Sequence, residues 1–472
     1  MLIRLFLFSL LYLGCTLFLY RRCARSGMPS EKCFYLELCI LFLSVYLSLY
    51  LSVLTPNGDS VYLITVLKNL TEKPLFGFYD RLGITYPPLF NYLYFFLGKL
   101  LELLGIPFDW KYRSFIFCVK LPGILCFFLM AFLVWSEAKK HLPENERVLP
   151  LFLTLLNPGY LLVSCYICQV DALYAFFVLL TLCLIVNRRL KTAYFSFAAG
   201  ILFKFQAVFI APVLLFAIID QILLHDFSRK RFFSHLFTGL AAIGCMLLSY
   251  LPFICEFRTG TFNQNGFAHN LASSVSGYGR ASTNAYNFWT LIGLNLKRDT
   301  KMLGPLSCSG WGYLSIVLLV VLCACFFLKA AGIRFPSPQK KEPCGNPHAN
   351  VPRGNPRMPR PLSSDLYPLL AAFLVAGVFC FSVRMMSRYL YPAIVLLIYA
   401  CILRPTKKRL LCTVAFSLAF FCNVWCDYMV YPYSAYHNGL FLPYIFSFYT
   451  VLCFLGLTYT IADEIVRDRT AA

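Results

Sequence analysis

Charge is scarce in this chain, and acid is scarcer still. Asp, Glu, Lys and Arg make up 13% of the 472 residues, with 21 acids against 42 Lys and Arg. A soluble domain carries about 25% charged residues, so an ordinary soluble fold is excluded. The 59% hydrophobic share points instead to a polytopic membrane protein, and length cannot be divided into soluble domains. A signal-peptidase site is missing as well. The opening run "LIRLFLFSLLYLGCTLFLY" ends in Arg21 and Arg22 rather than in small residues, which reads as a retained span. The 21 cysteines lack a pattern: no two CxxC motifs stand at zinc-site spacing and no paired loop arrangement occurs. Most lie in apolar runs, where Cys behaves as a small hydrophobe, so neither zinc nor a disulfide framework is expected. A net charge of +21 would suggest nucleic acid in a soluble protein. Here the basic residues fall between apolar runs, so topology and contact with anionic lipid account for them, and no nucleic-acid partner is expected.

What the chain has in abundance is helical apolar sequence. Runs at 2–20, 34–54, 113–135, 148–166, 171–186, 190–203, 206–224, 233–254, 309–329, 366–383, 388–403, 409–427 and 440–462 read as transmembrane helices. Several are shorter than the ~20 residues that span a bilayer, so their adjoining turns must lie in the membrane or at its boundary. The expected fold is an all-α polytopic membrane protein with about 13 spans and juxtamembrane helices in its first large extracytoplasmic loop. The run 87–105 is ambiguous, and charge decides it. Without a crossing there, one side collects 24 Lys and Arg before the C-terminal tail against about 15 on or near the other. The positive-inside rule favours that arrangement. The chain then divides into a transmembrane catalytic module over 1–329, with extracytoplasmic loops 55–112 and 255–308, and C-terminal transmembrane helices over 366–472. Between them, the Pro-, Gly- and Arg/Lys-rich stretch 330–365 reads as a disordered cytoplasmic linker. No internal repeat is visible.

The remaining polar groups converge on the extracytoplasmic side. Asp59 follows the second span; "CYICQVDALY" puts Gln169 and Asp171 in a tight turn; "LFKFQAVF" puts Lys204 and Gln206 in another. The 255–308 loop holds Arg280, Asn287, Phe288 and Trp289, and "SVRMMSRYLYP" puts Arg384 and Arg388 between two late spans. Ionisable residues at membrane depth are costly and functional by default. Each also has a plain alternative. Asp59 can cap the helix that follows it, Asp171 can pair with Lys204, the arginines can snorkel to headgroups, and Asn287–Trp289 can be an interfacial anchor. An apolar cavity with a carboxylate, cations and aromatics on one face suits a lipid-linked anionic substrate bearing a sugar.

The motifs "NGDSVYL", "TYPPLFNYLYFFLGKL", "NPGYLLVSCYICQVDALYAFF", "KFQAVFIAPVLL", "STNAYNFWTLIG" and "RYLYPAIVLL" stand in an order that resembles GT-C superfamily glycosyltransferases. The likeness runs from about residue 50 to 395. It is nearest to bacterial mannosyltransferases related to the second GPI mannosyltransferase, and the dolichol-phosphate-glucose glucosyltransferases of the endoplasmic reticulum are similar too. The resemblance implies transfer of a monosaccharide from a polyprenyl-phosphate carrier to a glycan or lipid-linked acceptor, on the extracytoplasmic or lumenal face. It implies that Asp59 is the general base and that Tyr86, Pro87 and Pro88 open a juxtamembrane helix. It matches Gln169 and Asp171, Lys204 and Gln206, and Asn287, Phe288 and Trp289 to substrate-binding turns. Two departures bear on the donor sugar and on how its phosphate is held: Met386 and Ser387 stand where relatives often have His-Glu, and Thr85 stands where the glucosyltransferases have an acid.

The expected mechanism is a single inverting displacement. Asp59 takes the proton of the acceptor hydroxyl, and Lys204, Arg280 or Arg388 neutralises the departing phosphate. No cofactor is required, because fixed cations can do that work; the family is mixed on metals, so a divalent ion stays open. The closer bacterial likeness points to an inner membrane, with the endoplasmic reticulum as the alternative. The competing reading is a flippase or transporter of lipid-linked glycans. Transporters place charged sites near mid-membrane between repeats, whereas here the charges lie at one face and no repeat is seen.

The charge asymmetry makes a testable statement about 87–105. Cysteines introduced at Lys111 and Lys139 should be labelled from opposite sides, Lys111 outside and Lys139 inside. Labelling of position 139 from outside would overturn the topology and the shared polar face with it.

Overall fold

The computed structural model describes residues 2–24, 29–54, 58–79, 86–109, 111–225, 227–256, 259–263, 268, 270, 279–333, 362–430 and 441–470. Each expected span coincides with a helix or with a broken helical run. The order is α1 (Leu2–Ala24), α2 (Ser30–Ser52), α3 (Gly58–Glu72), α4 (Pro88–Leu103), α5 (Arg113–His141) and α6 (Glu144–Leu155). Then come α7 (Pro158–Leu161) with a π turn over Leu162–Tyr166, α8 (Asp171–Val186) and α9 (Leu190–Phe203). A 3-10 turn (Phe205–Ile210), α10 (Ala211–Ile218) and a π turn (Ile219–Leu224) make the next run. After it follow α11 (Arg229–Leu248), α12 (Leu251–Ile254), α13 (Phe288–Leu291), α14 (Cys308–Ala330), α15 (Leu366–Phe381), α16 (Tyr391–Leu403), α17 (Lys407–Trp425) and α18 (Leu442–Thr470).

Among the described residues, seven helical runs are long and apolar enough to cross a membrane, and the pair formed by α6 and α7, bent by 40°, is an eighth candidate. Four shorter apolar helices cover Asp171–Val186, Leu190–Phe203, Leu366–Phe381 and Ser387–Leu403. The protein is an all-α polytopic membrane protein. Its short helices sit at the centre of the bundle: α8, α15 and α16 are buried on nearly every side. Their continuous apolar sequence is what a helix enclosed all round requires.

Local sequence explains the breaks. Asn157 ends the α6 run and caps α7, its Oδ1 accepting from the Gly159 and Tyr160 amides at 3.0 and 3.3 Å; Pro158 at the first helical position fits the cap. Acids Glu144 and Glu146 open α6, and Lys139, Lys140 and His141 close α5, both matching the helix dipole. Lys204 is extended (φ −158°, ψ 125°), which stops α9 and turns the chain into the next run.

The ambiguous run forms α4. Its 16 residues span about 24 Å, short of the ~30 Å hydrocarbon core. Pro88, Asn91, Tyr94, Gly98 and Leu101 form its buried stripe, while Phe96, Leu100 and Leu103 face outward. Gly98 lets α4 lie directly on α3, since a Cβ there would come within 1.9 Å of Thr71 Oγ1.

Three pairs of two-residue strands occur in the described residues: β1 (Cys255–Glu256) with β2 (Thr261–Phe262), β3 (Ser282–Thr283) with β6 (Met385–Met386), and β4 (Met302–Leu303) with β5 (Leu306–Ser307). The β3–β6 pair is parallel, with Ser282 opposite Met385 and Thr283 opposite Met386. It ties the long 255–308 loop to the turn that precedes α16.

Most of the 330–365 linker, residues 334–361, lies outside the described residues. The chain resumes where the Leu362 amide donates to Asp220 Oδ1 at 3.1 Å. Nearby, Arg409 fastens the helix ends opposite the polar turns described below. Its side chain is 1% exposed; it donates to Glu464 at 2.6 Å, to the Ala400 carbonyl at 2.8 Å, and to Asp365. Arg404 adds a bidentate pair to Asp468, both bonds 2.7 Å. Arg409→Met would remove the cation from Glu464 and leave Asp365 only Arg404, 3.9 Å away. We expect it to lower stability by about 3–5 kcal/mol, read as a fall in the melting temperature of the detergent-purified protein. Melting like wild type would show that the cluster does not hold the helix ends.

Candidate active site

Asp171 is the first residue of α8 and is fully buried. Lys204, at the end of α9, donates to its Oδ1 at 2.6 Å. Arg388, in the turn before α16, places Nε 3.5 Å from its Oδ2. The ammonium of Lys204 also lies 4.6 Å from the Tyr389 ring centroid and 5.2 Å from that of Tyr174, a favourable cation–π geometry. Arg388 donates through Nη1 to the Tyr428 hydroxyl. One carboxylate, two cations and three tyrosines thus meet at one end of an apolar bundle, the two cations drawn from separate turns. Gln169, two residues before the acid, is buried, and its Oε1 has no hydrogen-bond partner among the described residues.

The turn carrying Gln169 and Asp171 is held by its neighbours. Lys120 of α5 is buried and donates to the Tyr166 carbonyl at 2.8 Å; Ser60 of α3 donates to the next carbonyl, Ile167, at 3.4 Å. These are acceptors at a helix C-terminus, where a cation is favoured. Cys168 then takes φ 67°, a costly conformation for a non-glycine residue. Of the five described non-glycine residues at positive φ, four, namely Cys168, Asn284, Leu296 and Arg384, lie at this end of the molecule. Asp59 belongs to the first turn of α3, so its backbone adjoins Ser60 and the Asp171 turn; its side chain lies outside the described residues. Tyr86 stacks on Phe90 at 4.2 Å and faces Tyr62 of α3 at 6.3 Å. Its carbonyl accepts from Asn91 and Asn270. The helix opened by Pro87 and Pro88 therefore packs beside the segment that bears Asp59.

The other named residues are placed apart from the buried cluster or are bonded within the fold. Gln206 is partly exposed in the 3-10 turn. Arg280 is exposed and bridges Arg298 across a small hairpin. Asn287 caps α13 and donates to the Phe379 carbonyl at 2.9 Å, and Trp289 Nε1 donates to the Phe381 carbonyl at 2.9 Å. Arg384 pairs with Asp299 at 2.6 Å. Met386 lies in β6, and Ser387 donates to Asp427 at 2.6 Å. Asp427 also accepts from Asn284 at 2.9 Å, which links the 255–308 loop, the Arg388 turn and the end of α17. Lys120, Asp299 and Asp427 did not emerge from sequence. Lys120 left one signal, a cation in the interior of the 113–135 apolar run, beyond the Arg113 that opens it. Among the described residues no cluster of His, Cys, Asp or Glu could hold a metal, and Cys165 and Cys168 are not joined by a disulfide.

No protein-family model matches the chain, and no curated protein does. Among solved structures, the crystal structure of ArnT from Cupriavidus metallidurans bound to undecaprenyl phosphate is similar over 92% of this chain and 78% of that one. The identity is 13% and the TM-score 0.44.

The Asp171–Lys204 pair can be isolated by a double-mutant cycle. Asp171→Asn and Lys204→Met should each destabilise the detergent-purified protein by about 3–5 kcal/mol, because each leaves a buried charge behind. The double variant should recover part of the loss, with a coupling of about 0.5–3 kcal/mol. Strictly additive losses would show that the two side chains do not act as a pair.

Proposed function

We propose that the protein is an inverting, GT-C-type membrane glycosyltransferase. It moves a hexose, mannose or glucose, from a polyprenyl-phosphate carrier to a glycan, glycolipid or protein acceptor. The reaction takes place on the extracytoplasmic face, in a bacterial inner membrane, with the endoplasmic reticulum as the alternative. The observation that carries this reading is the buried Asp171 carboxylate flanked by Lys204 and Arg388, with the first turn of the Asp59 helix fastened beside it. Charges are not brought into an apolar bundle without a task.

In this mechanism Asp59 accepts the proton of the acceptor hydroxyl. The oxygen attacks the anomeric carbon from the face opposite the carrier, the bond from that carbon to the phosphate oxygen breaks, and the anomeric centre inverts. Lys204 and Arg388 stabilise the charge on the departing phosphate, and Asp171 holds both cations in place. Gln169 and Tyr86 frame the sugar and acceptor, and α4 lies as a shelf at the membrane surface. Residues 1–329 form the catalytic module, to which the 366–472 helices contribute Arg388.

Asp59→Asn separates base from structure. α3 begins at Gly58, so Asp59 lies inside its first turn and does not cap it. Asn is nearly the same size there and gives up only the acid's favourable place near the helix N-terminus, worth about 0.3–1 kcal/mol. It cannot take the proton, however, and losing general-base help costs about 10²–10⁴-fold. The variant should fold, melt like wild type and bind donor, yet transfer sugar from a defined polyprenyl-phosphate-sugar at least ~10²-fold more slowly. Near-normal transfer would remove Asp59 from catalysis.

A further inference from the structure

Outside the Asp171 cluster, the 279–311 segment carries four basic residues, Arg280, Lys297, Arg298 and Lys301, and a single acid, Asp299. Asp299 is already paired with Arg384. The four cations are exposed, and among the described residues none of them has an ion-pair partner. The backbone concentrates them. Antiparallel bonds from Ala281 to Lys297, from Leu296 to Ser282 and from Asp299 to Gly279 (2.8, 2.8 and 3.0 Å) set Arg280 directly opposite Arg298. Like charges facing each other across a strand pair are destabilising unless an anion lies between them.

The same region holds a pocket of about 320 Å³ lined by Phe288, Trp289, Leu303, Trp311, Ser315 and Phe381, within the size range of ligand pockets. The hairpin and the pocket share one small apolar cluster, in which Ala281, next to Arg280, packs with Trp289 and Trp311. Trp311 and Ser315 belong to the first two turns of α14, and the same helix continues with exposed Val317, Leu318 and Val321. An apolar, tryptophan-lined pocket at the head of an outward-facing apolar helix, with exposed cations in the same segment, has the layout of a membrane–water interface.

We propose that this segment is a binding site for an anionic lipid of the surrounding leaflet: the phosphate between Arg280 and Arg298, with Lys301 beside it, and the start of a hydrocarbon chain in the aromatic pocket. The charge selects an anionic headgroup, and the uncharged lining selects a tail. This site is separate from the Asp171 cluster and does not depend on the proposed transfer reaction.

The test uses the full-length protein, delipidated in neutral detergent and titrated with phosphatidylglycerol or phosphatidylcholine, with bound lipid counted by native mass spectrometry. Wild type should retain phosphatidylglycerol in preference. Arg280→Gln with Arg298→Gln, both at exposed positions, should reduce that retention on the order of tenfold and leave phosphatidylcholine unchanged. Leu303→Glu, at the pocket wall, should weaken phosphatidylglycerol retention with both arginines still present. Three outcomes would overturn the proposal: full retention by the double variant, an equal loss of phosphatidylcholine, or displacement by glycerol phosphate alone, which would mean a site for free phosphate. Displacement by equimolar undecaprenyl phosphate would overturn it too, by making this the site of a polyprenyl carrier.

Discussion

The fold at the polar end depends on one buried ion pair, Asp171 with Lys204. Two charges withdrawn from water cost several kcal/mol each, and only close contact with each other and with further polar partners offsets this. The partners come from every direction: Arg388 from the turn before α16, and the rings of Tyr174 and Tyr389 around the ammonium. Three turns that would each be unstable alone in an apolar surrounding are thereby made compatible with burial. The early stop of α9 at Phe203 and the extended backbone of Lys204 follow from the need to aim that ammonium at Asp171.

A consequence is that the central helices are short. α8, α9, α15 and the run ending in α16 are each 10–17 residues long, shorter than the seven membrane-length runs. Lys120 and Ser60 accommodate the carbonyls exposed at the Tyr166–Ile167 break, and Ser387 and Asn284 converge on Asp427. Helix ends buried without such bonds would not persist. The opposite end is secured differently. There Arg409 gathers Asp365, Glu464 and the Ala400 carbonyl, joining the ends of α15 to α18 where the 330–365 linker returns.

Part of the polar end was legible in advance because its motifs are local. Gln169 and Asp171 stand together before an apolar run, and Lys204 breaks another, so period and position suffice to mark them. Asn287 and Trp289 look alike whether they meet substrate or serve the fold. Their bonds to the Phe379 and Phe381 carbonyls show how the fold holds them, which no local pattern announces. Arg280 looked equivalent to Lys204 and Arg388, yet it lies exposed on a hairpin opposite another arginine, a pairing with residue 298 that no local pattern announces. Lys120, Asp299 and Asp427 were missed because each meets its partner across a large sequence separation.

By itself, the sequence determined the all-helical membrane class, the position of its apolar helical runs and the five segments that carry its polar residues. Those properties follow from hydrophobic run length, helix-breaking residues and charge placement, which act within about twenty residues. Tertiary structure alone decided that Lys204 and Arg388 share one carboxylate, that α4 packs on α3 through Gly98 and Thr71, and that Asn284 reaches Asp427. The physical reason is that a buried charge has no preferred partner along the chain. It takes whichever opposite charge the packing of apolar helices brings within a few ångströms, and that packing depends on side-chain shape over the whole bundle.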